Sequence, residues 1–381
     1  MPYKYLETSE TLHQFCQLIT DSCQWIAIDT EFMRTNTFYA ELSLIQVFTD
    51  QGEGAIIDPL AIDDLSSLWA LLSNDNLLKV FHSARQDIEI LYQQSGTMPA
   101  NIFDTQIAAL FLGHGDLAGL AKVLKAELNI DIPKDQCRTN WSQRPLTPAQ
   151  LDYAINDVKY LAPLYERLLT QLTTEQQLAL QDDFNYFLQP SLYDNNVAKT
   201  NERIKKANQL APKNHAISNA LAQWRENYAI EHNKPRKWAL SDDCILSIAK
   251  RPPKTTGVLY NVPNIKASSV KSFGEQWINI IDQVFEQPET WPTKQVITFN
   301  PSEQENVFIS LGQAICQQLA INHGLNVNNI ANKQQLLNLI RQPEKTHFLG
   351  WRFLLLEQPF KSLLASKNKL YIEEKLVLTN A

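Results

Sequence analysis

No stretch of the sequence approaches roughly 18 uninterrupted apolar residues, which argues against a membrane-spanning helix. The opening residues, MPYKYLETSETLHQF, lack an apolar core ahead of a small-residue cleavage site, so no signal peptide is expected. Cysteine is scarce. The five present, Cys16, Cys23, Cys137, Cys244 and Cys316, are odd in number, far apart and without a CxxC pair. Neither a disulfide framework nor a structural zinc site is expected; free thiols in a reducing cytoplasm are. Positive charge is also in deficit, with a net charge of −7. Taken alone, that balance speaks against a nucleic-acid partner.

The distribution of charge changes this picture. Residues 1–170 hold 11 Lys and Arg against 22 Asp and Glu, a balance of −11, whereas residues 211–381 hold 19 against 14, a balance of +5. An acidic half that holds cations and a mildly basic half that meets phosphate would account for this. Chance variation between two neutral domains would account for it equally. At 381 residues the chain is too long for one comfortable core, so two or three domains are expected.

The first half alternates between strand and helix patterns. Residues 25–29 (WIAID) form a short apolar run, residues 42–48 (LSLIQVF) alternate, and residues 54–57 can return beside them. The apolar residues 77–81 precede SARQDIEILYQQ, in which Ala84, Ile88 and Leu91 share a helical face and Gly96 lies just past the end. Residues 102–103 precede another amphipathic helix, DTQIAALFLG. Thr147 followed by Pro148 marks a helix start, and Pro163 is expected to kink or divide that helix. The implied fold class is α/β with a mixed sheet over residues 1–175. A connecting segment follows at 176–210, then two small all-helical units at 211–292 and 295–375.

Asp29 and Glu31 form Asp-Thr-Glu at the end of the first apolar run, where alternate residues share one face of a strand. Two carboxylates so placed repel, and a divalent cation would relieve the cost; a solvated strand end is the simpler alternative for this pair alone. Asp87 follows in the first turn of a helix after a strand. Tyr153 and Asp157 stand at i and i+4, one turn apart on one helical face. Four carboxylates suit hard cations such as Mg²⁺ or Mn²⁺, and two such ions can promote in-line phosphodiester cleavage with no protein nucleophile.

The blocks IAIDTEF, HSARQDIE and YAINDVKYL resemble the motifs of DEDD-superfamily 3′–5′ exonucleases, in the branch that carries tyrosine. TNWSQRPLTPAQLDYAINDVKYLAPLYERL, LIQV and NIFDTQIAA are similar to the bacterial ribonuclease D family. The tail resembles two HRDC modules, the first through WRENYAIEHNKPRKWALSDDCILSIAKRPP and the second through ANKQQLLNLIR and GWRFLLLE. The resemblance spans nearly the whole chain. It implies a ribonuclease H-like mixed-sheet domain and two metal ions held by Asp29, Glu31, Asp87 and Asp157, with Tyr153 completing the catalytic set. It further implies release of nucleoside 5′-monophosphates from RNA with a free 3′ end, characteristically tRNA precursors. Tyr153 stands where the other branch has histidine, and no histidine occurs between His114 and His215.

Substrate contacts are expected from Phe32 and Arg34, which follow the carboxylates, and from Arg138, Trp141 and Arg144 in the loop before Tyr153. Core packing for Phe32 and plain solvation for Arg34 are equally open. Met33, Gln46, Thr105 and His82 read more readily as structural. Lys234, Arg236, Lys237, Lys250, Arg251 and Lys254 form either a phosphate-facing patch or a solvated face. A DNA-directed exonuclease and a non-catalytic nucleic-acid scaffold are the rival functions. A cytoplasmic monomer is the expectation, and deletion of 211–381 is expected to weaken binding of structured RNA more than turnover.

Overall fold

The computed structural model describes residues 3–132, 139–293, 299–366, 368–372 and 376–380. Strand β1 (Lys4–Leu6) and helix α1 (Ser9–Ser22) precede the first strand expected from the sequence. Leu12, Phe15, Cys16 and Ile19 recur at helical spacing and are all buried, and the Thr8 side chain caps the start, which is why α1 forms. There follow β2 (Trp25–Met33), β3 (Glu41–Thr49), β4 (Gly54–Ile57), α2 (Ser66–Leu72), β5 (Leu78–Phe81), α3 (Arg85–Ser95), β6 (Ile102–Asp104), α4 (Thr105–Phe111), α5 (Leu120–Leu128), α6 (Pro148–Gln171) and α7 (Thr174–Phe187).

The six strands form one sheet in the order β1-β4-β3-β2-β5-β6. β3 pairs antiparallel with β4, while β1 with β4, β2 with β5 and β5 with β6 are parallel. This is the mixed α/β sheet expected. Ile26, Ala27, Ile28, Val80 and Phe81 are wholly buried, as strands covered on both faces require.

Helix α6 starts where the sequence indicates. The Thr147 side chain accepts the Gln150 amide while the Gln150 side chain returns to Thr147, and Pro148 stands at the first position. Of the two outcomes expected at Pro163, division does not occur: α6 is one 24-residue helix. Leu161, Ala162, Leu164, Tyr165 and Leu168 around the proline are buried, and that packing carries the helix across one missing N–H. Helix α7 lies in the span read as connector; its Leu180 and Phe184 are buried, the Phe184 ring 5.0 Å from Phe103 of β6.

The chain forms two compact units: Met1–Met33, Leu42–Tyr193 and Phe299–Ala381 in one, Arg34–Glu41 and Asp194–Thr298 in the other. The second contains α8 (Pro212–Glu231), α9 (Arg236–Ala239), α10 (Asp242–Lys250), α11 (Thr256–Leu259) and α12 (Ala267–Glu286), closed over Ile217, Leu221, Ile245, Ile248, Trp277 and Ile281.

The remaining elements return to the first unit: α13 (Glu303–His323), α14 (Val327–Ile330), α15 (Lys333–Arg341), α16 (Gly350–Arg352), a π-helical turn (Phe353–Glu357), α17 (Gln358–Leu364), and the antiparallel strands β7 (Asn368–Ile372) and β8 (Leu376–Asn380). The hairpin departs from the all-helical expectation; LYI and LVLT are strand formers on either side of charged residues. These helices do not close a core alone. Leu110 of α4 belongs to the same buried cluster as Ile315, Cys316, Ile330, Leu336 and Phe360. Deleting 211–381 would therefore open a core of the first unit, and the deletion cannot separate binding from folding.

These helices also meet α7, where the Asp183 carboxylate accepts the Trp351 amide at 2.9 Å. Gly350 has φ +51°, and a Cβ there would sit 1.9 Å from Asp183 Oδ2. Gly350→Ala is expected to destabilise the protein by about 1–3 kcal/mol, through left-handed strain and displacement of that carboxylate. A thermal melt of the two proteins measures it, and an unchanged midpoint contradicts the packing described.

Candidate metal centre

Asp29 and Glu31 lie two residues apart on β2, on the face covered by α6: Tyr165 of α6 meets Trp25 of β2 edge-on at 5.2 Å and Phe103 of β6 at 4.9 Å. Asp157 sits two turns before Tyr165 on the same side of that helix. One carboxylate oxygen from each of Asp29, Glu31 and Asp157 falls within 4.8 Å of the others. Asp87, buried in the first turn of α3, adjoins this trio without entering that spacing, and accepts a 2.5 Å hydrogen bond from the Thr30 hydroxyl. The Tyr153 hydroxyl donates to Asp157 one turn along α6.

Crowding of like charges away from water governs the electrostatics. Burial raises Asp29 well above the usual carboxyl range, and the charges of Asp87, Asp157 and Glu31 raise it further. Burial, then Asp157 and Asp87, lifts Glu31 to about 8. Asp87 reaches about 7 through burial, against the lowering bond from Thr30. Asp157 reaches about 7 by burial, against the bond from Tyr153. An all-oxygen donor set that resists ionisation in isolation fits a hard divalent cation, and the cluster is able to coordinate one.

The turn that presents Asp87 is braced by Asp104, which local sequence did not single out beyond its place before a helix. Its carboxylate accepts the amides of Ser83 (3.0 Å), Ala84 (2.8 Å) and Gln106 (2.8 Å), so one side chain caps α4 and holds the entry to α3. Ser83 takes a left-handed φ of +71° at this point. His82 is structural: Nδ1 meets the Thr105 hydroxyl and Nε2 the Ala118 carbonyl, each at 2.9 Å, and burial lowers its pKa. Thr105 also donates to the Phe81 carbonyl. Gln46 is wholly buried, and neither polar atom of its carboxamide has a hydrogen-bond partner among the described residues.

The expected substrate contacts fare unequally. Trp141 is only 2% exposed and packs 6.0 Å from the Tyr153 ring, so the ring expected to stack on a base is enclosed in the structure. Arg144 holds Asp58 through two bonds of 2.6 and 2.8 Å and donates to the carbonyls of Ser43, Trp141 and Gln143. The guanidinium expected to meet phosphate is thus occupied by an ion pair and backbone. Arg138 lies outside the described residues. Phe32 and Met33 are half-buried and Arg34 is exposed, its Nε donating to the Phe38 carbonyl at 3.0 Å. Arg236 is engaged by Glu226 and does not stand free in a basic patch.

Residues 3–173 match a family model described as 3′-5′ exonuclease, and residues 214–281 match the HRDC domain. The chain is 32% identical to ribonuclease D of Haemophilus influenzae over 92% of this chain and 90% of that protein. It is likewise 32% identical to ribonuclease D of Zymomonas mobilis over 97% and 96%. Among solved structures, Escherichia coli RNase D, described as an exoribonuclease involved in structured RNA processing, superposes with a TM-score of 0.81 at 27% identity, covering 96% of this chain and 99% of that one. Among the described residues no helix is long and apolar enough to cross a membrane. The shared sequence, the matching fold and the carboxylate cluster together make this chain a member of the ribonuclease D family of 3′–5′ exonucleases.

Proposed function

We propose that the protein hydrolyses RNA from a free 3′ end to nucleoside 5′-monophosphates, with tRNA precursors as the substrate class, as a monomer in the cytoplasm. The observation that carries the chemistry is the convergence of Asp29, Glu31 and Asp157, with Asp87 beside them and all four raised in pKa. These four would hold two divalent ions, Mg²⁺ or Mn²⁺. Such ions, when bound, supply activation of the attacking water and stabilisation of the departing 3′-oxygen.

The chain's own residues set the geometry. Tyr153 fixes the orientation of Asp157 through its hydroxyl, with Trp141 packed against its ring, and Thr30 fixes Asp87. With both ring nitrogens of the half-buried His82 hydrogen-bonded, no proton-carrying role is assigned to it. We assign Phe32, half-buried just after the carboxylates, to the terminal base, and the exposed Arg34 to phosphate. Arg138, Trp141 and Arg144 complete the substrate set proposed from sequence, the latter two acting in this structure through packing and the Asp58 pair.

End-labelled RNA and its matching DNA, digested with Mg²⁺, Mn²⁺ or chelator, test the assignment. Mononucleotides should appear from RNA only with metal, and preferential digestion of the DNA would favour the DNA-directed reading. Asp29→Asn is expected to lower the rate by about 10³-fold or more, and Tyr153→Phe by about 10–100-fold. Undiminished release from Asp29→Asn would remove the cluster from catalysis. An RNA with a 3′ overhang should be digested faster than a blunt duplex, because the scissile phosphate must enter a crevice of acidic groups; equal rates under the same metal and salt contradict that.

The raised carboxyls also set a pH dependence of stability. Between the ordinary carboxyl value near 4 and their raised values, the folded protein binds more protons than the unfolded chain. Their contribution is therefore fully present at low pH and is lost as pH rises through about 7 to 8. The melting temperature of chelator-treated protein should fall between about pH 5.5 and 8, and excess Mg²⁺ at the upper end should restore it. Differential scanning fluorimetry reads both; a profile unchanged by Asp29→Asn would assign the fall to other groups.

A further inference from the structure

Gln46, in β3, is the one buried side chain among the described residues whose two polar atoms both lack a hydrogen-bond partner. Buried polar groups are paired almost without exception, and a carboxamide outside every bond is costly to keep. An apolar side chain of similar volume would fill the same space without that cost. The neighbours of Gln46 fix the face of the sheet on which it lies. It pairs with Ile56 of β4, and two residues along that strand a Cβ at Gly54 would stand 3.0 Å from Ile155 Cδ1 of α6. Gly54, Ile56 and Gln46 therefore share the face that α6 covers, which is also the face of Asp29. β2 and β3 are neighbours joined by the short link 34–40, so they run antiparallel. The Asp50 amide donates to the Trp25 carbonyl at 3.3 Å, and counting inward from that bond sets Gln46 opposite Asp29. Residues so opposed on one face have Cβ atoms about 4.5–5.5 Å apart.

We infer that Gln46 is a positioning residue of the metal centre, its carboxamide pairing with the hydration water that a divalent cation carries into the site beside Asp29. This inference rests on the metal-dependent reading above. A hard cation held by a few carboxylates keeps several of its waters, and each of these is a hydrogen-bond donor. Ionised carboxylates only accept, so they can satisfy the Gln46 amide group and never its carbonyl oxygen. Hydration water supplies that missing donor. The orphaned carboxamide and the crowded carboxylates of Asp29, Glu31 and Asp157 are then two halves of one site, both completed by the same ion. A glutamine serving only the fold would have its partner within the fold, and among the described residues it has none.

The test uses Gln46→Met in the full chain, which nearly keeps the side-chain volume and removes both hydrogen-bonding atoms. In chelator, its melting midpoint should equal or exceed that of the unsubstituted protein, because two unpaired buried groups are gone. Titration calorimetry with Mn²⁺ should show a dissociation constant raised about tenfold. The Mn²⁺ concentration that half-saturates nucleotide release from a short labelled RNA should rise by the same factor. Asp29→Asn, titrated alongside, should lose the Mn²⁺ heat. A lowered midpoint in chelator, or loss of folding, overturns the role given to Gln46, since its carboxamide would then have a partner without the cation. An unchanged dissociation constant overturns it as well, whatever the midpoint. Absence of Mn²⁺ binding by the unsubstituted protein overturns the metal-centre reading itself, separately from any result on Gln46→Met.

Discussion

Repulsion among carboxylates withdrawn from water is the constraint on which the rest of the first unit depends. Asp29, Glu31 and Asp157 would separate if their backbones were free to move, and a cluster within 4.8 Å persists only because each is carried by an element fixed elsewhere. β2 is a central strand with buried neighbours on both sides. α6 is started by a capping box and anchored by Tyr165 against Trp25 and Phe103. The turn before Asp87 is tied by Asp104. Affinity for a cation and strain in the cation-free protein are then two expressions of the same arrangement.

Much of this was legible because it is local. Asp-Thr-Glu on a strand and Tyr153 four residues before Asp157 are fixed by the periods of strand and helix, and Thr147–Pro148 announces a helix start in two residues. Of the four carboxylates that the motifs selected, Asp29, Glu31 and Asp157 come within 4.8 Å of one another. The Leu12, Phe15, Cys16 and Ile19 stripe of α1 was equally local but lay before the first strand recognised. Other features were not legible because they are long-range. Arg144 resembles a phosphate donor in its loop until Asp58, 86 residues away, is seen to pair with it. Trp141 resembles a stacking ring until α6 is seen to enclose it. Pro163 resembles a helix breaker until the buried residues around it outweigh one lost hydrogen bond.

The tail divides in a way that its composition conceals. Both helical segments show the same alternation of apolar stripes and basic residues. The first closes its own core around Trp277, whereas the second shares Leu110 and the Asp183–Trp351 bond with the sheet-bearing part of the chain. Charge balance and helix count are alike for an autonomous module and for one that completes another core. The difference lies in which apolar residues find each other.

That shared core carries a consequence for synthesis. Leu110 emerges from the ribosome 205 residues before Ile315, the first residue of the later helices in its cluster. At about 5–20 residues per second, the interval is on the order of 10–40 s. Throughout it, the nascent sheet and its helices exist without the layer that covers α4. The order of genes' translation thus leaves an apolar surface exposed to chaperones and to neighbouring chains, and closure waits on the last quarter of the polypeptide.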